Sequence, residues 1–240
     1  MKYLYGKNAL EYQIIINKDE IKQVHLYKTN KSEIKNLKNK GIKIKIHHDF
    51  TFFNNFNKNL NHQFIITELF STNKDDLNID DYLKINNNKK NHRIVILDSI
   101  EDPQNFGAIL RTCEAFGINC VIYKSDNQVQ INDFVIKTSM GAINNINLIK
   151  VNNISQTIKK LKENNFFIYA SVLSDKAISI NKINFPNKIA VIVGNEHKGI
   201  SRILIDKSDQ LIKIDMFGQI QSLNVSVACG ILAYEITKKN

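Results

Sequence analysis

The sequence has no long apolar run and no recognisable targeting segment. No stretch reaches the roughly 18 apolar residues that a membrane-spanning helix requires. The first twelve residues, MKYLYGKNALEY, lack the apolar core and the small-residue cleavage site of a secretion signal. We therefore expect a globular protein that has no membrane partner and stays in the cytoplasm.

Cysteine is scarce, and its spacing excludes two common kinds of stabilisation. The three cysteines, Cys113, Cys120 and Cys229, are odd in number and contain no CxxC pair, so neither a disulfide framework nor a zinc site is indicated. The histidines add no ligand pattern, because the adjacent His47 and His48 would point to opposite faces of a strand. No metal is expected.

The usual nucleotide-phosphate loops are also missing. No GxGxxG follows an apolar strand, and no GxxxxGK[ST] occurs. This excludes the ordinary dinucleotide-binding and P-loop sites.

Positive charge, in contrast, is in excess. Thirty-three basic and 23 acidic residues give a formal net charge of +10. Such an excess favours a polyanionic partner, of which nucleic acid is the commonest. A composition bias towards lysine and asparagine is the alternative explanation, since net charge bears on association rather than on fold.

Changes of composition along the chain predict two domains. Residues 1–72 read as a small α/β module with lysines spread over its outside, which could be a solvated surface or an RNA-binding face. Residues 73–92 are polar and rich in asparagine, which is typical of a linker, apart from a brief helical patch. Residues 93–240 form the second predicted domain.

Apolar strands alternate with helices in the second domain. Ile94–Leu97 and Ile189–Val193 are uninterrupted apolar runs, as expected for strands buried on both faces. The alternation predicts a mostly parallel sheet with helices on both sides, and ligands bind such sheets beyond the carboxyl ends of the strands. The loops 98–107, 194–201 and 219–224 all follow predicted strands, so we expect them to converge there.

The last helix is predicted to begin at Ser222, a residue suited to capping a helix N-terminus. Helical spacing predicts one apolar stripe on it. The residues of that stripe are Leu223, Val227, Ile231 and Tyr234. The helix that follows Pro103 is predicted to place Ile109, Cys113 and Phe116 on one face.

The three convergent loops resemble the three signature motifs of the SpoU (TrmH) family of RNA ribose 2′-O-methyltransferases. Asp102–Gly107 (DPQNFG) with Arg111 resembles the first motif. Ile192–Glu196 (IVGNE) resembles the second, although His197 stands where the family usually has glycine. Ile214–Met216 and the segment SLNVSVA from Ser222 resemble the third. Tyr5-Gly6 and His62-Gln63 resemble the substrate-binding domain of the subgroup that modifies large-subunit ribosomal RNA.

The resemblance implies a SPOUT-type α/β fold in which the C-terminal segment is threaded into a trefoil knot. It also implies S-adenosylmethionine as the methyl donor and a homodimer with the site near the subunit interface. On this reading the chain methylates a ribose 2′-hydroxyl, of guanosine, in 23S ribosomal RNA. Two alternatives remain: an enzyme that acts on transfer RNA, and a non-catalytic RNA-binding factor in ribosome assembly.

The resemblance further implies roles for nine residues. Gly194, Ile214, Met216 and Leu223 would contact the cofactor, although core packing is an alternative role for Ile214 and Leu223. The expected catalytic residues are Arg111, Asn105, Glu196, Ser222 and Asn224. A guanidinium resists deprotonation, so the role we assign to the arginine is phosphate anchoring and stabilisation of developing negative charge. The asparagines and the serine could instead serve only as turn and helix caps.

Overall fold

The structure, a computed structural model, describes residues 2–56, 62–70, 77–126, 128–220 and 222–238. These residues form two sheets. The predicted boundary at residues 72 and 73 lies outside the described residues.

The first sheet has four strands in the order β1-β4-β2-β3, and only the β2–β3 pair is parallel. Helices α1 and α2 cover one face, while aromatic side chains including Tyr5 and Phe53 pack on Ile66 on the other. The elements are β1 (Lys2–Tyr5), α1 (Lys7–Asn17), β2 (Ile21–Tyr27), α2 (Lys31–Asn39), β3 (Ile44–His47) and β4 (Ile65–Leu69). Helix α2 follows Asn30, whose side chain makes no capping hydrogen bond.

The second sheet has seven strands in the order β7-β6-β5-β10-β8-β11-β9, and every pair is parallel. Its strands are β5 (His92–Asp98), β6 (Cys120–Lys124), β7 (Asn147–Val151), β8 (Phe167–Ser171), β9 (Ile178–Ser179), β10 (Lys188–Gly194) and β11 (Gln210–Lys213). Its helices are α3 (Ile79–Ile85), α4 (Pro103–Ala115), α5 (Asp133–Thr138), α6 (Ile154–Glu163), α7 (Arg202–Lys207) and α8 (Val225–Thr237). The predicted parallel α/β sheet is therefore present.

Helices cover both faces of this sheet, which explains the uninterrupted apolar strands. Successive strand residues point to opposite faces, so Val95 and Leu97 pack under α4, α5 and α8, while Ile94 and Ile96 pack under α3, α6 and α7. Helix α3 lies within the segment predicted as a linker and contributes Tyr82, which is fully buried, to the second of these cores.

The apolar stripe predicted for the last helix is only partly present: Ile231 packs against the core, but Leu223 lies before the start of α8. The residues of α8 that face the sheet are Val225, Cys229, Leu232, Ala233 and Ile236, whereas Val227 and Tyr234 are about half exposed. Helix α8 is apolar almost all round, so helical spacing alone could not select its buried face. Phe116 was also misplaced: it lies beyond the end of α4, is 37% exposed, and contacts the ring of Tyr234.

Helix α5 joins the two sheets. Its Phe134 and Ile136 pack into the cores of the first sheet, and the hydroxyl of Tyr5 donates a hydrogen bond to Asp133 over 2.7 Å. Within the described part of the chain, no helix is long and apolar enough to cross a membrane.

Candidate functional site

A cavity of about 500 Å³ lies at the carboxyl ends of β8, β10 and β11. Three loops line it: the one after β8, the one after β10, and the segment between β11 and α8. Six of the residues singled out from the sequence line this cavity: Gly194, Glu196, Ile214, Met216, Ser222 and Leu223. The predicted convergence of loops is confirmed for the second and third motifs.

A hydrogen-bonded chain of polar side chains links all three motifs. The Asn105 amide donates to a carboxylate oxygen of Glu196 over 2.7 Å, and the Asn224 amide donates to the Asn105 carbonyl over 3.1 Å. The carbonyl oxygen of Asn224 in turn accepts from the backbone N–H and the hydroxyl of Ser226. The amide nitrogen and the carbonyl oxygen of the Asn105 side chain therefore each have a hydrogen-bond partner, and the two bonds together fix the orientation of this side chain.

Helix α4 presents Asn105 because its first turn is well formed. Asp102 caps the helix by accepting from the backbone N–H of Gln104 over 2.9 Å, and Pro103 occupies the first helical position, where its missing N–H costs nothing. Gly107 lets α4 approach α5, since a Cβ there would lie 2.5 Å from the Cβ of Thr138. Asn105 is therefore on the first turn of a helix held closely against its neighbour.

The loop after β10 is a tight turn whose two ends contact each other. A Cβ on Gly194 would lie 2.3 Å from the carbonyl carbon of Gly199, and the backbones of Asn195 and Gly199 pair in both directions. The buried Asn195 side chain accepts from the N–H groups of His197 and Lys198 and donates to the carbonyl of Ser99. The exposed His197 side chain does not fill the turn. Glycine at 194 is thus required by the turn, in addition to any role beside a ligand.

The segment after β11 is fixed at its start. Asp215 accepts from the hydroxyl of Ser179 over 2.5 Å and from the amide of Asn181 over 3.4 Å. Ile214 and Met216, on either side of Asp215, line the cavity.

Helix α8 begins later than predicted, and Ser222 does not cap it. The N-cap is Asn224, whose side chain accepts from the backbone N–H of Ser226. Ser222 is exposed and lines the cavity two residues before the cap. Asn224 therefore serves as a cap and also contacts Asn105.

Arg111 lies apart from the other predicted residues. It is exposed on α4, six residues beyond Asn105, a spacing that places it about 9 Å further along the helix and on another side. It lines a second cavity of about 490 Å³, between the two sheets, together with residues of the first sheet.

Two buried residues support the site but were not predicted from the sequence to do so. Asn195 organises the second-motif turn, and Asp98, at the end of β5, accepts from the backbone N–H of Ser201 over 2.8 Å. Both residues directly follow apolar runs in the sequence. Polar residues at such positions lie at the edge of a parallel sheet where ligands bind, so this pattern could have identified them. Among the residues that the structure describes, no group of three or more His, Cys, Asp or Glu side chains could hold a metal ion.

Comparison with known proteins agrees with this geometry. Residues 92–234 match the model of the SpoU rRNA methylase family. An uncharacterized tRNA/rRNA methyltransferase of Mycoplasma genitalium is 42% identical over 233 residues, which cover 96% of this chain and 95% of the relative.

Solved structures share the fold across nearly the whole chain. The SpoU methyltransferase AviRb of Streptomyces viridochromogenes, in complex with AdoMet, has a TM-score of 0.76 at 14% identity and covers 99% of this chain and 89% of its own. An RNA 2′-O ribose methyltransferase has a TM-score of 0.72 at 20% identity, with 99% and 88% covered. The family model spans the sheet and all three motif loops, and the chain therefore belongs to the SpoU rRNA methylase family.

Proposed function

We propose that this protein transfers a methyl group from S-adenosylmethionine to the 2′-hydroxyl of a guanosine ribose in 23S ribosomal RNA. The observation that carries the proposal is the hydrogen-bonded chain from Glu196 through Asn105 to Asn224, beside a cavity of about 500 Å³. A packed core does not require polar side chains of three separate motifs to be hydrogen-bonded in series beside a cavity, whereas a catalytic site does require polar groups held in fixed positions.

The cavity suits a ligand that is part apolar and part polar. Its size lies within the range of small-molecule sites, and Ile214 and Leu223 offer apolar surface while Ser222 and Glu196 are polar. Gly194, Ile214, Met216 and Leu223 would hold the adenosine and methionine parts of S-adenosylmethionine. When bound, this donor supplies an electrophilic methyl group that is already activated by its sulfonium.

The chain's own residues must orient the ribose hydroxyl and accommodate its proton. Glu196, fixed by Asn105, would accept a hydrogen bond from the target nucleotide, and Ser222 and Asn224 would position the ribose and the donor. Arg111 would anchor an RNA phosphate, which would assist the loss of the hydroxyl proton, and would stabilise the charge that develops on the 2′-oxygen. Its place in the cavity between the sheets supports contact with RNA rather than with the donor.

A homodimer is part of the proposal. Val227 and Tyr234 on α8 are about half exposed, and Phe116 contacts Tyr234. Apolar side chains grouped on an exposed surface are typical of a subunit interface. Light scattering at several concentrations would test this proposal; a monomer at all of them would overturn it.

The domain division at residues 72 and 92, the trefoil knot and the cytoplasmic location stay predictions. The return of Asn224 from beyond β11 to Asn105 supports the knot, because it brings the end of the chain back towards the first motif.

Ribosomal RNA is favoured over transfer RNA by the first sheet, which resembles the substrate-binding domain of the ribosomal subgroup. The purified protein should be incubated with labelled S-adenosylmethionine and separate pools of ribosomal and transfer RNA, and alkali-resistant linkages should then be mapped. We expect label in ribose methyls of ribosomal RNA. Label in transfer RNA alone would favour the first alternative, label in base methyls would overturn the reaction type, and no label with no bound donor would favour the assembly factor.

A further inference from the structure

The cavity between the two sheets carries unpaired positive charge. The ion pairs and hydrogen bonds found among the described residues leave Arg111 and Lys137 without a side-chain partner, whereas Lys7, the third cation there, pairs with Glu33 over 2.6 Å. Lys137 is only partly exposed, and its charge helps burial to lower the pKa of His62 on the first sheet's side. Two unpaired cations at one cavity attract an anion such as a phosphate.

The walls of the cavity are fixed in position rather than loosely apposed. Helix α1 contributes Lys7 and Ala9 to the lining, and Gly141, which follows the lining residue Met140, passes so close to this helix that a Cβ on it would lie 3.0 Å from the ring of Tyr12. Two lining residues, Gln63 and Met140, have positive φ angles of 51° and 50°, which are unfavourable for residues with side chains. Backbone strain of this kind is typical of binding and catalytic sites.

An aromatic surface adjoins the cavity. Phe64 follows the lining residue Gln63, and its ring lies 5.0 Å from that of Phe50, which in turn stacks on Tyr27 at 4.4 Å. Phe50 is 43% and Phe64 is 38% exposed. We refer to Tyr27, Phe50 and Phe64 as the aromatic surface. Exposed aromatic rings beside cationic side chains are suited to binding single-stranded RNA. Its unstacked bases can stack on the rings, and its phosphates can contact the cations.

We infer that the cavity and the aromatic surface together bind the RNA strand next to the methylated nucleotide. Lys137 and Arg111 hold a backbone phosphate of that strand, and an unstacked base lies on Phe50 and Phe64. The inference rests on the proposed function, since it specifies how the same RNA is held. Residues 1–70 contain twelve lysines and six acidic residues, so the first sheet adds attraction for the strand.

The test measures RNA binding without any methyl donor, with a labelled 20-nucleotide single-stranded RNA of mixed sequence and its duplex as probes. Lys137→Ala should weaken binding to the single strand and lower the slope of log affinity against log salt by about 0.7, the value for one phosphate. Phe50→Ala should weaken it roughly 5- to 150-fold, the effect of one lost base stack, and should affect the duplex far less.

Two matched controls are available in the same chain. Lys150→Ala removes an exposed lysine from β7, and Phe70→Ala removes an aromatic residue 52% exposed at the other end of β4 from Phe64. Both should bind RNA as the wild type does. Wild-type binding in the Lys137 and Phe50 variants, equal losses in variants and controls, or a wild type that binds neither probe would each overturn the inference. A wild type that binds RNA through these residues but transfers no methyl group would contradict the proposed function alone.

Discussion

Asn105 and Glu196 stand 91 positions apart in the sequence, yet the amide nitrogen of one lies 2.7 Å from a carboxylate oxygen of the other. The contact joins the first turn of α4 to the turn after β10, and Asn224 extends it to the start of α8. The side chains of the first two motifs therefore contact each other directly.

Asn105→Asp should lower the rate of methyl transfer by on the order of 10²-fold, as the loss of a positioned donor in an active site does. The new carboxylate cannot donate to Glu196 and repels it. Single-turnover kinetics would measure the effect. Asn152→Asp makes the same change of charge at an exposed position and should be as active as the wild type. Equal activity of the two variants would contradict a role for Asn105.

Arg111→Ala should lower the rate of methyl transfer by about 10²- to 10³-fold while leaving the affinity for S-adenosylmethionine unchanged. The affinity for the donor should not change, because Arg111 lines the cavity between the sheets and not the cavity lined by Gly194 and Leu223. Calorimetric titration of the donor and a methyl-transfer assay would separate the two quantities. Near-normal turnover would remove Arg111 from the mechanism.

Gly194→Ala should destabilise the fold and weaken donor binding together. The added Cβ would meet the backbone of Gly199 at 2.3 Å, and forcing an extra methyl group into a packed region costs about 1–3 kcal/mol. The melting temperature should fall by several degrees. Gly218→Ala is the control, because nothing lies within 4 Å of its Cβ position. A normal melting temperature for the Gly194 variant would contradict the tight turn.

Stability should decline on acidification through the buried His92. Burial, with smaller contributions from Lys89 and Lys188, lowers the pKa of His92 from 6.5 to about 4. The unfolded chain therefore takes up a proton at a higher pH than the folded one, so the free energy of unfolding falls as the pH drops from about 6.5 to about 4. The loss is on the order of 2–3 kcal/mol.

Replacing His92 tests this pH dependence. The ring also contacts the Tyr82 hydroxyl at 2.5 Å, so His92→Gln should be less stable at pH 7 but lose less stability on acidification. His48→Gln, at an exposed position, should keep the wild-type profile. Urea unfolding at pH 7.5, 6, 5 and 4 measures the slope. An unchanged slope in the His92 variant would contradict the assignment, although His25, His47 and His62, also with lowered pKa values, contribute in the same direction.

Strand identity and the location of the site could be read from the sequence by itself. Apolar runs such as Ile94–Leu97 can be buried only between two layers, and polar residues after them mark the carboxyl edge of a parallel sheet. The second and third motifs were therefore correctly expected to meet, and one cavity is lined by Gly194, Glu196, Ile214, Met216, Ser222 and Leu223. These features depend on residue type and local spacing, which the sequence contains in full.

The tertiary structure decided which face of α8 is buried and where Arg111 lies. An apolar helix has no single stripe that its own spacing selects, so packing against α4 determines that Cys229 faces inward and Tyr234 outward. Arg111 and Asn105 share a motif but lie on different sides of one helix, and the second cavity exists only because the first sheet packs on α5. Contacts between side chains that are far apart in the sequence depend on how the helices and sheets pack together. No local sequence pattern encodes this packing.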